Sequence, residues 1–170
     1  MAHLQYVVDA SVFARLSKPA VAAAFVPLAA EGKVGLCAPE AFELGFSARN
    51  HADYHDLTER LRSFASVPVT EAEHQRALQV QDELSARGQH RALSLADALV
   101  AATAEVRGLE VLHYDADFER VADLTGQAHE WIVERDSRPV QPSAVSAARL
   151  GSLIEAQQPQ HKHCCCAFWV

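Results

Sequence analysis

An α/β fold built on a mostly parallel sheet, covered by helices on both faces, is the architecture this sequence predicts. Three observations carry it. Short apolar runs such as LQYVV and GLEVLHY alternate with longer segments of helical periodicity. The apolar runs are continuous rather than alternating, as in strands buried on both sides. Glycines and proline-bearing breaks fall between the segments, where a chain changes from one element to the next.

Taken in order, residues 4–8 (LQYVV) form a first strand ending at Asp9. ASVFARL is helical, Ser17-Lys18-Pro19 interrupts it, and AVAAAFVPLAAE forms a second helix. Pro27 should kink or divide that helix, because proline lacks the N–H of the helical ladder. Gly32 closes it, and KVGLCA supplies a second strand. Pro39 suits the first position of the helix PEAFELGFSAR. Asp53 opens DYHDLTERLRSFA, which places Tyr54, Leu57, Leu61 and Phe64 on one face.

SVPV is a third short strand. Thr70 and Glu73 make a capping box for EAEHQRALQVQDELSAR, which Gly88 ends. Ser94 starts LADALVAATAEVR, stopped at Gly108. GLEVLHY is the fourth strand, DFERVADL a short helix and EWIVE an edge strand.

A chain of 170 residues is one domain of ordinary size, burying about two-thirds of its unfolded surface. No apolar run approaches the ~20 residues that cross a bilayer, and MAHLQYVVDAS lacks the basic-then-apolar pattern of a secretory signal. Cys37 is isolated and Cys164, Cys165 and Cys166 are adjacent, so no disulfide framework is visible and a reducing, cytoplasmic setting is expected.

Net charge is −7, but residues 1–136 carry −9 and residues 137–170 carry +2. An acidic body argues against gripping duplex nucleic acid by charge alone, though not against meeting phosphates through a metal ion. The domain therefore reads as 1–136. The Pro-, Gln- and Ser-rich segment 137–170 reads as a poorly ordered extension, whose HKHCCC run is ill-suited to closing one tetrahedral metal site.

The stretch HYDADFERVA sets Asp115 and Asp117 two positions apart where a buried strand ends. Close carboxylates repel unless a cation, a proton or solvent separates them. Sites in open parallel sheets form beyond the carboxyl ends of the strands. Asp9 and Asp115 end the first and fourth strands, Asp97 lies in the first turn of the helix before the fourth, and Glu43 lies in the helix after the second.

Each has a structural alternative. Asp9 can cap a helix, Asp97 can complete a capping box with Ser94, Glu43 can be solvated, and Asp115 or Asp117 can cap the helix at Phe118. Jointly they suit a hard divalent cation, and the matching chemistry is phosphodiester hydrolysis.

VVDASVFARL, LSLADALVAATAE and VLHYDADFERVA, with the helix bearing Glu43, resemble PIN-domain ribonucleases in order and spacing. ELGFSARN, GQHRALSLAD and HYDADFERVADLTGQAHEW are similar to the VapC toxins of bacterial toxin–antitoxin systems. The resemblance spans about residues 4–135. It implies a three-layer α/β/α sandwich, dependence on Mg2+ or Mn2+, and endonucleolytic cleavage of RNA. By position it assigns the acidic quartet to Asp9, Glu43, Asp97 and Asp115, with Asp117 assisting at the metal.

Glu40 departs from the pattern, which more often has an uncharged residue there, so either glutamate can face inward; Glu43 is favoured because it precedes LGFSAR. The resemblance further implies a cognate antitoxin protein, for which the apolar helices at 12–30 and 40–64 offer a groove, and a homodimer.

Asp9, Asp97 and Asp115 would then hold the metal, with Glu43 completing the shell or orienting water. Arg15, Arg49, Arg91 and Lys18 are candidate phosphate contacts or solvated surface residues. Ser11 either reaches the metal's waters and a phosphate or serves as a cap. Two other readings compete. An aspartate-based phosphatase or phosphotransfer domain would need a lysine late in the sheet, and none lies between Lys33 and Lys162. A non-catalytic PIN-like module binding RNA or protein would be marked by loss of quartet members, and all four are present.

Overall fold

The computed structural model of the protein describes residues 3–134. The extension expected over 137–170 lies outside the described residues. In chain order the elements are β1 (Tyr6–Val8), α1 (Ala10–Phe13), α2 (Pro19–Ala30), β2 (Val34–Cys37), α3 (Ala38–Gly45) and α4 (His51–Leu61). They continue with β3 (Ala65–Val67), α5 (Glu71–Ala86), α6 (Leu95–Arg107), β4 (Glu110–His113), α7 (Asp117–Thr125) and β5 (His129–Trp131).

The five strands form one sheet in the order β3-β2-β1-β4-β5, every pair parallel. Side chains alternate across it, as the two-residue period requires. Tyr6, Val8, Leu36 and Leu112 face one core with Phe13, Val21, Phe25, Leu57 and Leu61, while Val7, Cys37, Val67 and Val111 face the other with Val100, Ala104, Phe118 and Val121. The result is a three-layer sandwich: α1 to α4 supply side chains to one face, α6 and α7 to the other, and α5 packs on α6 through Ala77, Leu99 and Ala102.

Gly35 permits the close approach of β2 and β3, since a Cβ there would sit 2.5 Å from the Val67 side chain. Among the described residues no helix is long and apolar enough to cross a membrane.

Local signals explain most boundaries. The Thr70–Glu73 capping box opens α5, and Gly108 (φ +64°) closes α6 in the left-handed conformation that glycine adopts without strain. Pro68, which cannot donate to a ladder, follows β3 and ends it.

The structure corrects four expectations. α2 runs unbroken through Pro27, because Pro27 and Ala23 both lie on the solvent side, where water can serve the carbonyl that loses its partner. α4 begins two residues earlier than Asp53, with Asn50 as cap accepting the Asp53 N–H at 3.0 Å. α1 lasts one turn; its continuation to Leu16 is held by tighter i→i+3 bonds from Arg15 and Leu16. α3 stops at Gly45, short of Arg49.

Candidate active site

Strand order creates the site. β1 leads to β2 on one side, whereas β4 joins β1 on the other, so the C-terminal ends of β1 and β4 border a crevice between oppositely directed crossovers. Asp9 follows β1. Its N–H donates to the Leu112 carbonyl at 3.0 Å, and its Oδ2 accepts the Ser11 N–H at 2.9 Å, capping α1. Ser11 in turn uses Oγ to accept the Tyr114 N–H at 2.8 Å, tying α1 to the end of β4. Both readings of Asp9 hold: it caps, and it stands at the crevice.

Asp115 follows β4, exposed, with Oδ1 accepting the Asp117 N–H at 3.0 Å. Its own N–H donates to Nδ1 of His113 at 3.2 Å. That bond places the His113 proton on Nε2, which meets Nδ1 of His129 at 2.8 Å. His113 is fully buried, and burial pushes its pKa down to about 4 with His129 adding to the effect. The neutral His113 imidazole, in contact with His129, thus supports the backbone under Asp115. The sequence showed His113 only as a residue following the strand.

Asp97 sits at the third position of α6 inside the expected capping box, its carboxylate accepting the Ser94 N–H at 3.2 Å. This leaves carboxylate lone pairs for other partners.

α3 presents two glutamates differently. Glu40 is fully buried one turn before buried Leu44, and its Oε2 accepts the Ala10 N–H at 2.5 Å. Glu43 is on the exposed side.

Electrostatics show that these groups share one region. Burial raises Asp9 most, Ser11 opposes this through its hydroxyl, and the charges of Asp97 and Glu43 raise it further. Glu40 is raised by burial and then by Asp9, with Glu43 and Asp97 contributing. Glu43 is raised by partial burial and by Asp97 and Asp115. Asp117 is raised by partial burial and by Asp115, with Arg120 acting against this from 2.6 Å. Among the described residues that is the sole ion pair made by these six carboxylates.

The structure links Asp9, Glu43, Asp97, Asp115 and Asp117 through neighbouring charges, Asp9 to Asp97 and Glu43, Glu43 to Asp115, and Asp115 and Asp97 to Asp117, and beside Asp9 it adds Glu40. Its signal in the sequence was the four-residue spacing from Leu44, directly after a buried strand.

The basic candidates are placed otherwise. Arg15 is buried, with its guanidinium 5.4 Å from the Tyr114 ring centroid and Nε without a hydrogen-bond partner. Lys18 donates to the Tyr114 hydroxyl at 3.0 Å. Arg49 pairs with Asp53 at 2.6 Å at the surface, and Arg91 is exposed in the turn before α6.

The donor set suits a hard divalent cation. All its oxygens are carboxylate, and among the described residues their charges lack basic partners apart from Arg120 and Glu40 Oε1 is buried without a hydrogen bond. Among the described residues no three His, Cys, Asp or Glu side chains are arranged to cage an ion as they stand.

A family model for the PIN domain matches residues 6–124. The Mycobacterium tuberculosis protein named Ribonuclease VapC51 is 45% identical over 130 residues, covering 76% of this chain and 94% of its own. This chain belongs to the VapC group of the PIN-domain family.

A second M. tuberculosis relative, Ribonuclease VapC18, is 38% identical over 132 residues, covering 76% of this chain and 96% of that one. The PIN fold also aligns with the crystal structure of DNA-bound VapBC from Salmonella typhimurium. There the TM-score is 0.62 at 17% identity, over 75% of this chain and 97% of that one. At this identity the likeness speaks for the PIN fold alone.

Proposed function

We propose that this PIN domain is a metal-dependent endoribonuclease, the toxin of a type II toxin–antitoxin pair, acting in the cytoplasm with Mg2+ or Mn2+. The observation that carries the proposal is the meeting of carboxylates from the ends of β1 and β4 and from α3 and α6 at one crevice, without basic partners beyond Arg120 among the described residues. Relatives that bear the name ribonuclease support the reaction class.

Asp9, Asp97, Asp115 and Asp117 would hold the ion, directly or through water. When bound, the ion supplies a water of lowered pKa and charge to offset the phosphate in the transition state. The protein's own part is positional. Ser11 fixes α1 to β4 and so sets Asp9 against Asp115. Glu43, raised above the ordinary carboxylate range and open to solvent, is placed to take a proton from the attacking water or to orient it.

Substrate is RNA, single-stranded or looped out, since a strand must enter an acidic crevice. Arg49 and Arg91 are the exposed cations available to its phosphates.

A cognate antitoxin and a homodimer complete the reading. Solved relatives of the fold are titled as VapBC and FitAB assemblies. Of the two helical stretches anticipated as a groove, α1 and α2 place Phe13, Val21 and Phe25 in the core. The 40–64 stretch exposes Phe42, Phe46 and Tyr54, and Leu95 at the start of α6 is exposed as well.

The test is cleavage of RNA by the purified full chain with Mg2+ or Mn2+, against the same reaction in chelator. Asp9→Asn should lower the rate by at least about 10²-fold. Cleavage that ignores chelator, or an Asp9→Asn protein as active as the parent, defeats the proposal.

A further inference from the structure

Three residues that follow β1 converge on Tyr114, the residue just before Asp115. Ser11 Oγ accepts its N–H at 2.8 Å, the Arg15 guanidinium stands 5.4 Å from its ring centroid, and Lys18 Nζ lies 4.8 Å from that centroid while donating to its hydroxyl at 3.0 Å. Two cations thus share one ring. Arg15 is only 8% exposed, and its Nε is buried with no hydrogen-bond partner. Among the described residues Arg49, Arg62, Arg76, Arg107 and Arg120 each pair with a carboxylate, and Arg15 enters no such ion pair.

A buried charge is costly unless it is paired, and a ring face attracts a cation without giving its N–H groups an acceptor in the plane of the fork. Packing against Tyr114 does not require a charge, since methionine or leucine would fill the same space. In a domain whose residues 1–136 carry −9, a purely structural cation would gain by pairing with a carboxylate. Arg15 is instead held rigidly with donor capacity unspent.

We infer that Arg15, with Lys18 across the Tyr114 ring, seats one backbone phosphate of the RNA strand beside the phosphate being cut. This rests on the RNA-cleaving reading above and deepens it by fixing where the strand lies. The seat is continuous with the crevice from both sides, because Ser11 is two residues after Asp9 and Tyr114 adjoins Asp115. A metal ion in the crevice offsets charge at the scissile phosphate alone, so the neighbouring phosphate meets acidic protein unless a fixed cation stands there. The guanidinium fork matches phosphate oxygens two at a time. A protein carboxylate is the other anion of suitable chemistry, and its place is an outcome of the test.

The experiment measures binding of a dye-labelled single-stranded RNA of mixed sequence to the full chain by fluorescence anisotropy. Ca2+ fills the crevice, salt runs from about 50 to 300 mM, and electrophoresis afterwards checks that the strand is whole. The proteins compared are the parent, Arg15→Met, Arg15→Gln and Arg15→Lys, each with a thermal melt. Arg15→Met keeps the apolar stem and removes the charge; it should weaken binding about 10-fold and flatten the salt dependence of log Kd by about 0.7, the share of one phosphate contact on a single strand. Arg15→Gln carries the same expectation if the methionine protein does not fold, and Arg15→Lys should keep the parental slope.

A folded neutral variant with the parental slope overturns the inference, whether or not its affinity falls, and leaves Arg15 as a packing residue. The inference also falls if neutral variants bind RNA as the parent does but lose affinity for a poly-glutamate peptide, which would make the seat one for protein carboxylates. If the parent shows the Arg15-dependent slope yet cleaves no RNA with Mn2+, the phosphate seat stands and the nuclease reading falls. A parent that binds no RNA ends both.

Discussion

Glu40→Gln replaces a buried carboxyl by an uncharged group of the same shape, and its effect on stability should depend on pH. Burial, reinforced by Asp9, lifts the native Glu40 above the ordinary carboxylate range. In the unfolded chain it ionises near the usual glutamate value, so unfolding at neutral pH releases a proton that the native state keeps. A raised carboxyl contributes stability that is full below the unfolded pKa and declines as pH climbs toward the folded one. The slope is about 1.4 kcal/mol per pH unit for each proton so held.

The interval from about pH 6.5 to 8.0 lies between the unfolded and the native value and so tests this group. His113, pushed down to about 4 by burial, is neutral in native protein there; unfolded, it is about half protonated at pH 6.5 and largely neutral by pH 7.5, so it opposes the Glu40 slope only at the lower end. Across that interval Glu40 alone should remove up to about 2 kcal/mol of stability from the metal-free parent. For a domain of this size that is roughly 6–10 °C in melting temperature. Urea unfolding in chelator at three pH values, followed by circular dichroism, should give a falling line for the parent and a flatter one for Glu40→Gln. Asp9, raised by burial to about 7, adds a falling slope of its own to both proteins across the lower half of the interval. Parallel lines, or a parent that gains stability as pH rises through this interval, would refute the reasoning.

Two further outcomes follow from the scaffold. Glu73, buried at the start of α5, accepts from the Thr70 N–H at 2.7 Å and from its hydroxyl, and pairs with Arg107 at 2.8 Å. The Thr70 hydroxyl is the main cause holding its pKa down to about 2. Its contribution is therefore present above the ordinary glutamate pKa and fades as pH falls toward 2. Glu73→Ala should cost about 1–2 kcal/mol at pH 7, and the gap between melts of variant and parent should narrow at pH 3. Pro27→Ala restores a helical N–H in α2 and should raise stability by about 1–3 kcal/mol, measured by chemical unfolding; a loss would show that Pro27 has a packing role.

What the sequence determined is largely what acts over a few residues. The strand ahead of Asp9, the boxes Thr70–Glu73 and Ser94–Asp97, and the glycine stop at Gly108 are local hydrogen-bond chemistry, readable from spacing. The position of Asp9 and Asp115 after continuous apolar runs was likewise legible, because buried parallel strands announce themselves by composition. Pro27 leaves α2 unbroken for a reason no local pattern carries, since the exposure of its side of the helix is set by tertiary packing.

Tertiary structure alone decided which glutamate of α3 is enclosed. Glu40 and Glu43 are three residues apart, neighbours on a helix of eight residues too short for its apolar stripe to fix the buried edge, so docking against β2 and α1 enclosed Glu40 and left Glu43 exposed. The same holds for Arg15, which looks like a surface cation in sequence and lies against Tyr114 once β4 packs beside β1. Residues distant in the chain set these environments, and burial energies depend on neighbours that no local pattern names.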